Sequence, residues 1–405
     1  MKKKILIISH NLRIGGVERS LIGLLNSIDY SRFEVDLFLF INDGEFLNMI
    51  PNEVNLIPQN KVYASMLKPA IQNLKSGSFS TLWMKARAKF KARLFMLKHK
   101  RKSVENLVYL NYMQREMLRI LPPISNESYD LALSFLTPHY IVAHKVNALK
   151  TIAWIHTDYG HFDMDKSAEL QMWNDCDYIA SVSDDCTTGF LKQFPQLKSK
   201  IILLHNILDP QTVRKLAEEF VVQNEMPKSE GELILCSVGR FSYQKNFDNV
   251  PFIARKLQRK GAKFKWYIIG FGGEENLIRE NVQRTGMQNT VIILGKKANP
   301  YPYMKACDIY VQPSRMEGRA VSVTEAQILS KPVVIADYPT APTQFKNGFD
   351  GLIVPMDNQA CANALFEFMN DKVKQKTLAE NCSNSNYGNR SEIEILYGLM
   401  TDSDS

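Results

Sequence analysis

The chain's 405 residues exceed what one hydrophobic core usually serves, so two domains of roughly 150 to 200 residues are expected and a small disulfide scaffold is excluded. Apolar residues at 45% and charged residues at 23% are the make-up of a globular chain rather than a disordered one. The net charge of +8 is uneven: residues 1–205 hold 26 Lys and Arg against 19 Asp and Glu, while residues 206–405 hold 24 against 23.

After Met1 and three lysines, the apolar run from Ile5 stops at Ile8, too short for the core of a signal peptide. No window reaches the roughly 18 apolar residues of a membrane span, so a soluble, cytoplasmic chain is expected. The six cysteines form no C-x-x-C pair, and Cys236 and Cys307 lie in apolar runs, which suits buried free thiols. The first predicted strand, Ile5–Ser9, runs into a loop with Gly15 and Gly16 that opens onto a helix. Paired glycines admit an anion close to backbone N–H groups at a helix N-terminus, although a plain turn accounts for them equally well.

The strand Val35–Phe40 follows, and then a segment apart from the rest. Lys61 to Lys102 holds twelve basic residues and no acid. Within it Trp83, Ala86, Phe90, Leu94 and Leu97 recur at helical spacing, flanked by Lys85, Lys89 and Arg93. Two readings stay open: a basic amphipathic helix lying on an anionic membrane surface, or a domain helix whose apolar face is core. Nucleic acid is not expected as a partner, since no zinc-finger, RNP-type or helix-turn-helix signature is present.

Strands are predicted next at Leu131–Phe135, Thr151–Ile155, Tyr178–Val182 and Ile201–Leu204, and again at Ile234–Val238, Lys265–Ile269, Val291–Leu294, Ile309–Gln312, Val333–Ala336 and Leu352–Val354. Their alternation with helical stretches predicts an α/β chain of two doubly wound, Rossmann-like domains facing across a cleft. The polar stretch Asp209–Gly231 is the expected boundary. The domains are read as 1–208, with a basic insertion at about 61–102, and 209–385. Residues 386–405 form a tail for which the N-terminal domain is a docking place.

Ligands of such folds bind beyond the carboxyl ends of strands, so residues there are the candidates for chemistry. His156 closes one strand. Arg240 and Lys245 follow Ile234–Val238, two cations suited to a diphosphate through a guanidinium fork and a mobile ammonium. Glu317 and Glu325 follow Ile309–Gln312 eight residues apart, with a helix expected from about Val321. That spacing suits two ends of one long ligand better than an acid/base pair across one bond.

These residues, with Trp154-Ile-His156-Thr-Asp158, Glu317-Gly318, Glu325-Ala326 and Asp350-Gly351, resemble the retaining, nucleotide-sugar-dependent glycosyltransferases of the GT-B fold marked by an E-x7-E signature (glycosyltransferase family 4 type, glycosyl transferases group 1). The resemblance implies transfer of a hexosyl or N-acetylhexosaminyl group, with retention, from a nucleotide sugar, UDP being the implied nucleotide. The acceptor would be a saccharide or lipid-linked saccharide of capsular, lipopolysaccharide or other envelope glycan synthesis, at the cytoplasmic membrane face. It implies no cofactor and no metal. By position, Arg240 and Lys245 would clamp the diphosphate, Glu317 would hold the sugar hydroxyls and Glu325 the ribose, and His156 would contact the reacting sugar. Gly15, Gly16, Gly318, Arg319, Ala320 and Val321 would complete the donor site. Arg319-Ala320 stands where many members have Phe-Gly, so the sugar's identity does not transfer. Three other readings compete with it: an epimerase or hydrolase of the same fold, a non-enzymatic basic membrane-surface binder, and a metal-dependent glycosyltransferase of another fold using Asp163-Met-Asp165 or Asp175-Cys-Asp177.

Overall fold

The structure, a computed structural model, describes residues 2–99, 106–157, 159, 164–317 and 320–400. It divides into two compact units, residues 1–207 with 389–405, and residues 208–388. Unit 1 contains seven parallel strands: β1 (Lys3–Ser9), β2 (Phe33–Leu39), β3 (Val54–Leu56), β4 (Ser128–Ser134), β5 (Asn147–Ile155), β6 (Tyr178–Ser181) and β7 (Ile201–Leu203). They lie in the order β3-β2-β1-β4-β5-β6-β7. Unit 2 repeats the plan with β8 (Leu233–Val238), β9 (Phe264–Ile269), β10 (Val291–Gly295), β11 (Ile309–Gln312), β12 (Val333–Ala336) and β13 (Leu352–Val354), ordered β10-β9-β8-β11-β12-β13.

The central stretches of the strands are mostly apolar, because helices cover both faces of each sheet, while charged residues such as Glu34 and Asp36 fall in the first half of β2. Along β1, Ile5 and Ile7 enter one core while Leu6 and Ile8 enter the other. In unit 2, Trp266 and Ile268 of β9 pack on one side, Tyr267 and Ile269 on the opposite one. Sequence reading misses β3, whose three residues pair only with Val35–Leu37 at the sheet edge. The segment Asp209–Gly231 is not a linker: Val213, Ala217, Val222 and Met226 are buried in the core of unit 2, so the division falls ahead of it, after Ile207.

The chain returns to unit 1 at its end. Ile393, Leu396, Tyr397 and Met400 join that core. Tyr397 stacks on Phe33 with ring centroids 4.1 Å apart, and its hydroxyl accepts the Asp29 N–H at 2.8 Å. His205 bonds Glu392 at 2.9 Å, so this strand-end histidine fastens the returning segment.

The basic helix spans Phe79–Lys98, and its orientation bears on the reading that makes its apolar stripe core. Thr81, Ala88, Ala92 and Met96 face inward, whereas Trp83, Ala86, Phe90, Leu94 and Leu97 are exposed. The apolar stripe is therefore not core, because the small inward residues let the helix pack closely without it. Lys85 is not a flanking surface charge: its ammonium donates to the Ser65 and Lys68 carbonyls at 2.9 and 2.6 Å, and burial lowers its pKa. Arg87 and Lys91 both bond the buried carboxylate of Glu116. Lys100, Arg101 and Lys102 lie outside the described residues. All six cysteines carry free thiols, and no described helix is long and apolar enough to cross a membrane.

Candidate functional site

In unit 2 the strand order reverses between β8 and β11, and the loops leaving their carboxyl ends open the crevice where ligands of such sheets bind. The β8 loop carries Gly239, Arg240 and Lys245, and the β11 loop carries Glu317. The two loops are fastened to each other. The Arg315 N–H donates to the Gln244 carbonyl at 2.8 Å, and its guanidinium grips the Asp248 carboxylate at 2.9 and 2.8 Å. Asn246, in the left-handed region at φ 60°, donates its amide to the Pro313 carbonyl at 2.8 Å.

This bracing sets Lys245 Nζ 2.6 Å from Glu317 Oε1, with the two side chains 20% and 11% exposed. Ser314 Oγ donates to the same oxygen at 2.5 Å, and Thr340 Oγ1 holds the Glu317 carbonyl at 2.6 Å. The Lys245 stem fills the space beside Gly239, where an added Cβ would lie 3.3 Å from it. Arg240 is exposed and pairs with none of the described residues. The Tyr338 hydroxyl is buried with no described partner, and burial together with the Glu317 charge raises its pKa. The crevice thus holds an unengaged guanidinium, an ammonium–carboxylate pair and an unsatisfied hydroxyl, a set suited to an anionic, hydroxyl-rich ligand.

The second glutamate is more enclosed than the first. Glu325 lies in the helix Val321–Ile328, as the spacing predicts, but it is 1% exposed and accepts the Tyr301 hydroxyl at 2.7 Å. Nearly the whole helix is buried, so its carboxylate turns to the interior rather than to solvent. At Ala320 the N–H donates to the Gln344 side chain at 2.8 Å and the carbonyl accepts from its amide at 3.3 Å. Val321 stands partly exposed at the first turn, and Gly318 and Arg319 lie outside the described residues. Asp350 serves the fold, accepting from the Tyr387 hydroxyl and the Lys346 N–H.

In unit 1 the strand order reverses between β1 and β4. Gly15 and Gly16 open the helix Gly16–Ser27, but the carboxylate of Glu18 folds back over Gly15, where an added Cβ would meet Glu18 Oε2 at 2.0 Å. Burial raises the Glu18 pKa. The positive end of the helix is thus faced by the chain's own acid, while Gly16 borders open space.

His156 projects just beyond β5, its ring 4.5 Å from that of Phe135 and stacked on Trp154 at 5.7 Å. Its Nε2 has no described partner. Two histidines sit close by. His139 bonds Ser134 Oγ at 2.8 Å through Nδ1 and leaves Nε2 unsatisfied, and His10 packs on Phe40. Burial pulls His156 and His139 down to about 3 and His10 to about 4, so all three rings are neutral near pH 7. Sequence reading passed over His139 and Tyr338. Both lie just past the carboxyl ends of strands, β4 and β12, which is the signal that would have found them.

The aspartates of the metal-dependent reading have structural employment. Asp165 caps the helix Lys166–Asn174, Asp175 bonds His144 at 2.8 Å, and Asp177 accepts from Thr151 at 2.8 Å. Asp158 and Asp163 lie outside the described residues.

Two doubly wound parallel sheets with these topologies are the GT-B fold of glycosyltransferases. Residues 221–385, nearly all of unit 2, match the family model of the glycosyl transferases group 1. HepE of Anabaena, solved with UDP and glucose, aligns over 99% of this chain and 100% of its own, with TM-score 0.65 and 17% identity. An uncharacterized glycosyltransferase of Methanocaldococcus jannaschii is 27% identical over 154 residues, 37% of each chain. The N-acetylgalactosamine-N,N'-diacetylbacillosaminyl-diphospho-undecaprenol 4-alpha-N-acetylgalactosaminyltransferase of Campylobacter jejuni is 24% identical over 193 residues, 47% of this chain and 49% of that one. The chain thus spans between a third and half the length of these curated relatives.

Proposed function

We propose that the protein transfers a sugar, with retention and without a metal, from a nucleotide-sugar donor carrying UDP to a saccharide or lipid-linked saccharide acceptor of envelope glycan synthesis. The observation that carries this reading is the Lys245–Glu317 pair beside an unengaged Arg240 at the switch point of unit 2. Arg240 and Lys245 bind the diphosphate, and their fixed charge stabilises the negative charge that develops on the departing nucleotide. Glu317, held by Ser314 and Thr340, accepts hydrogen bonds from the sugar hydroxyls, with the Tyr338 hydroxyl beside it. Glu325, bonded through Oε1 to the Tyr301 hydroxyl, keeps Oε2 as an acceptor for a ribose hydroxyl. In unit 1 Nε2 of His156 is available to a sugar, and the N–H groups at Gly15 and Gly16 serve a phosphate once the Glu18 carboxylate swings away from Gly15. Support for UDP comes from HepE, solved with that nucleotide, and for a lipid-linked acceptor from the C. jejuni relative.

The test is a panel of nucleotide sugars scored by thermal stabilisation and by release of nucleoside diphosphate. One donor should stabilise the protein, turn over with added acceptor and retain its rate in excess chelator. Lys245→Ala and Glu317→Gln should each lower kcat/KM by roughly 10²- to 10³-fold. Nucleoside diphosphate released without any acceptor-linked product would instead point to hydrolysis or epimerisation.

A further inference from the structure

We propose that the outward face of the helix Phe79–Lys98 docks on an anionic lipid bilayer surface. The inference goes beyond sugar transfer and does not depend on it. Phe79, Trp83, Phe90, Leu94 and Leu97 succeed one another at steps of four, seven, four and three, which gathers them on one face of the helix. Each is between 49% and 68% exposed. The helix packs on unit 1 through Thr81, Ala88, Ala92 and Met96, so the outer stripe plays no part in the fold. The preceding short helix Ala70–Lys75 packs against it and exposes Ile71 and Leu74 as well. Monomeric proteins rarely leave contiguous apolar surface of this kind uncovered.

Charge identifies what covers it. No acid occurs between Lys61 and Lys102. Lys85, Arg87 and Lys91 are occupied inside the unit, which leaves Lys61, Lys75, Lys89, Arg93 and Lys98 exposed around the stripe. An apolar face bordered by cations alone matches acyl chains beneath anionic headgroups, with the long basic side chains reaching outward to the phosphates. A second copy of the same face is disfavoured, because pairing would bring like charges together at its borders.

The tryptophans supply a reporter. Trp154, Trp173 and Trp266 are buried, whereas Trp83 is 62% exposed, so a change in intrinsic emission on adding vesicles reads this helix. The full chain is titrated with phosphatidylcholine vesicles with or without about one third phosphatidylglycerol, and binding is checked by flotation. Expected are a blue shift and flotation with anionic vesicles, weakened by salt. The variant F90S/L94S/L97S, with an unchanged unfolding transition, should bind at least tenfold more weakly. Neutralising Lys89, Arg93 and Lys98 should cost roughly fivefold for each charge, while UDP binding in unit 2 stays as it was. Equal binding by wild type and both variants overturns the proposal, as does absence of binding to any vesicle. Concentration-dependent dimers without lipid, abolished by F90S/L94S/L97S, would assign the face to a second copy.

Discussion

Lys245 is an example of a residue whose position is made by its neighbours. Its ammonium meets Glu317 because Asn246 accepts a left-handed backbone and Arg315 ties both loops to Asp248. The neutral histidines of unit 1 are similarly enclosed, with a consequence for pH. Their folded pKa values lie below the unfolded value of about 6.5, so the unfolded chain takes up protons first as pH falls. Stability from this cluster is fully present above pH 6.5 and is lost progressively between about pH 6.5 and 3. Urea unfolding followed from pH 7.5 to 4.5 should show this decline, and His139→Asn should flatten it. A wild-type curve as flat as that of the variant would show that these rings titrate normally. Strand ends made His156, Arg240, Lys245 and Glu317 visible in the sequence. The inward turn of Glu325 was not, because the partner that holds it, Tyr301, is 24 residues away.

At the level of elements, the turn Gly270-Phe-Gly272 supports the loop that follows β8. Gly270 at φ 151° and Gly272 at φ 157° let the turn lie directly against the Gly239–Phe241 backbone. A Cβ at Gly270 would come 1.8 Å from the Gly239 carbonyl oxygen, and one at Gly272 2.3 Å from that of Phe241. The Phe241 N–H also donates to the Phe271 carbonyl at 2.8 Å. The turn is therefore the buttress of the loop that presents Arg240. Gly272→Ala should destabilise unit 2 by about 1–3 kcal/mol and weaken nucleotide binding beyond what the stability loss explains. Calorimetry and UDP titration of the same sample measure both. Strand positions were legible because parallel strands buried on both faces are rich in apolar residues, and only the short edge strand β3 escaped. The basic helix shows the limit of periodicity: it found the apolar stripe, but only packing reveals that Ala88 and Ala92, not Phe90 and Leu94, face the protein.

For the whole molecule, the last described residues are part of the first unit. Removing residues 389–405 should uncover Phe33 and strip Ile393, Leu396 and Tyr397 from its core, so unit 1 should melt at lower temperature while unit 2 keeps its UDP-dependent stabilisation. Differential scanning calorimetry with and without UDP distinguishes the two, and a uniform loss across the whole trace would contradict their independence. The central claim is that unit 2 grips a nucleotide sugar through Arg240, Lys245 and Glu317. Calorimetric titration with UDP and with the matching UDP-sugar tests it most directly. The account predicts that Arg240→Ala weakens both ligands alike, whereas Glu317→Gln weakens the UDP-sugar much more than UDP. Unchanged affinity for both ligands in both variants would contradict it.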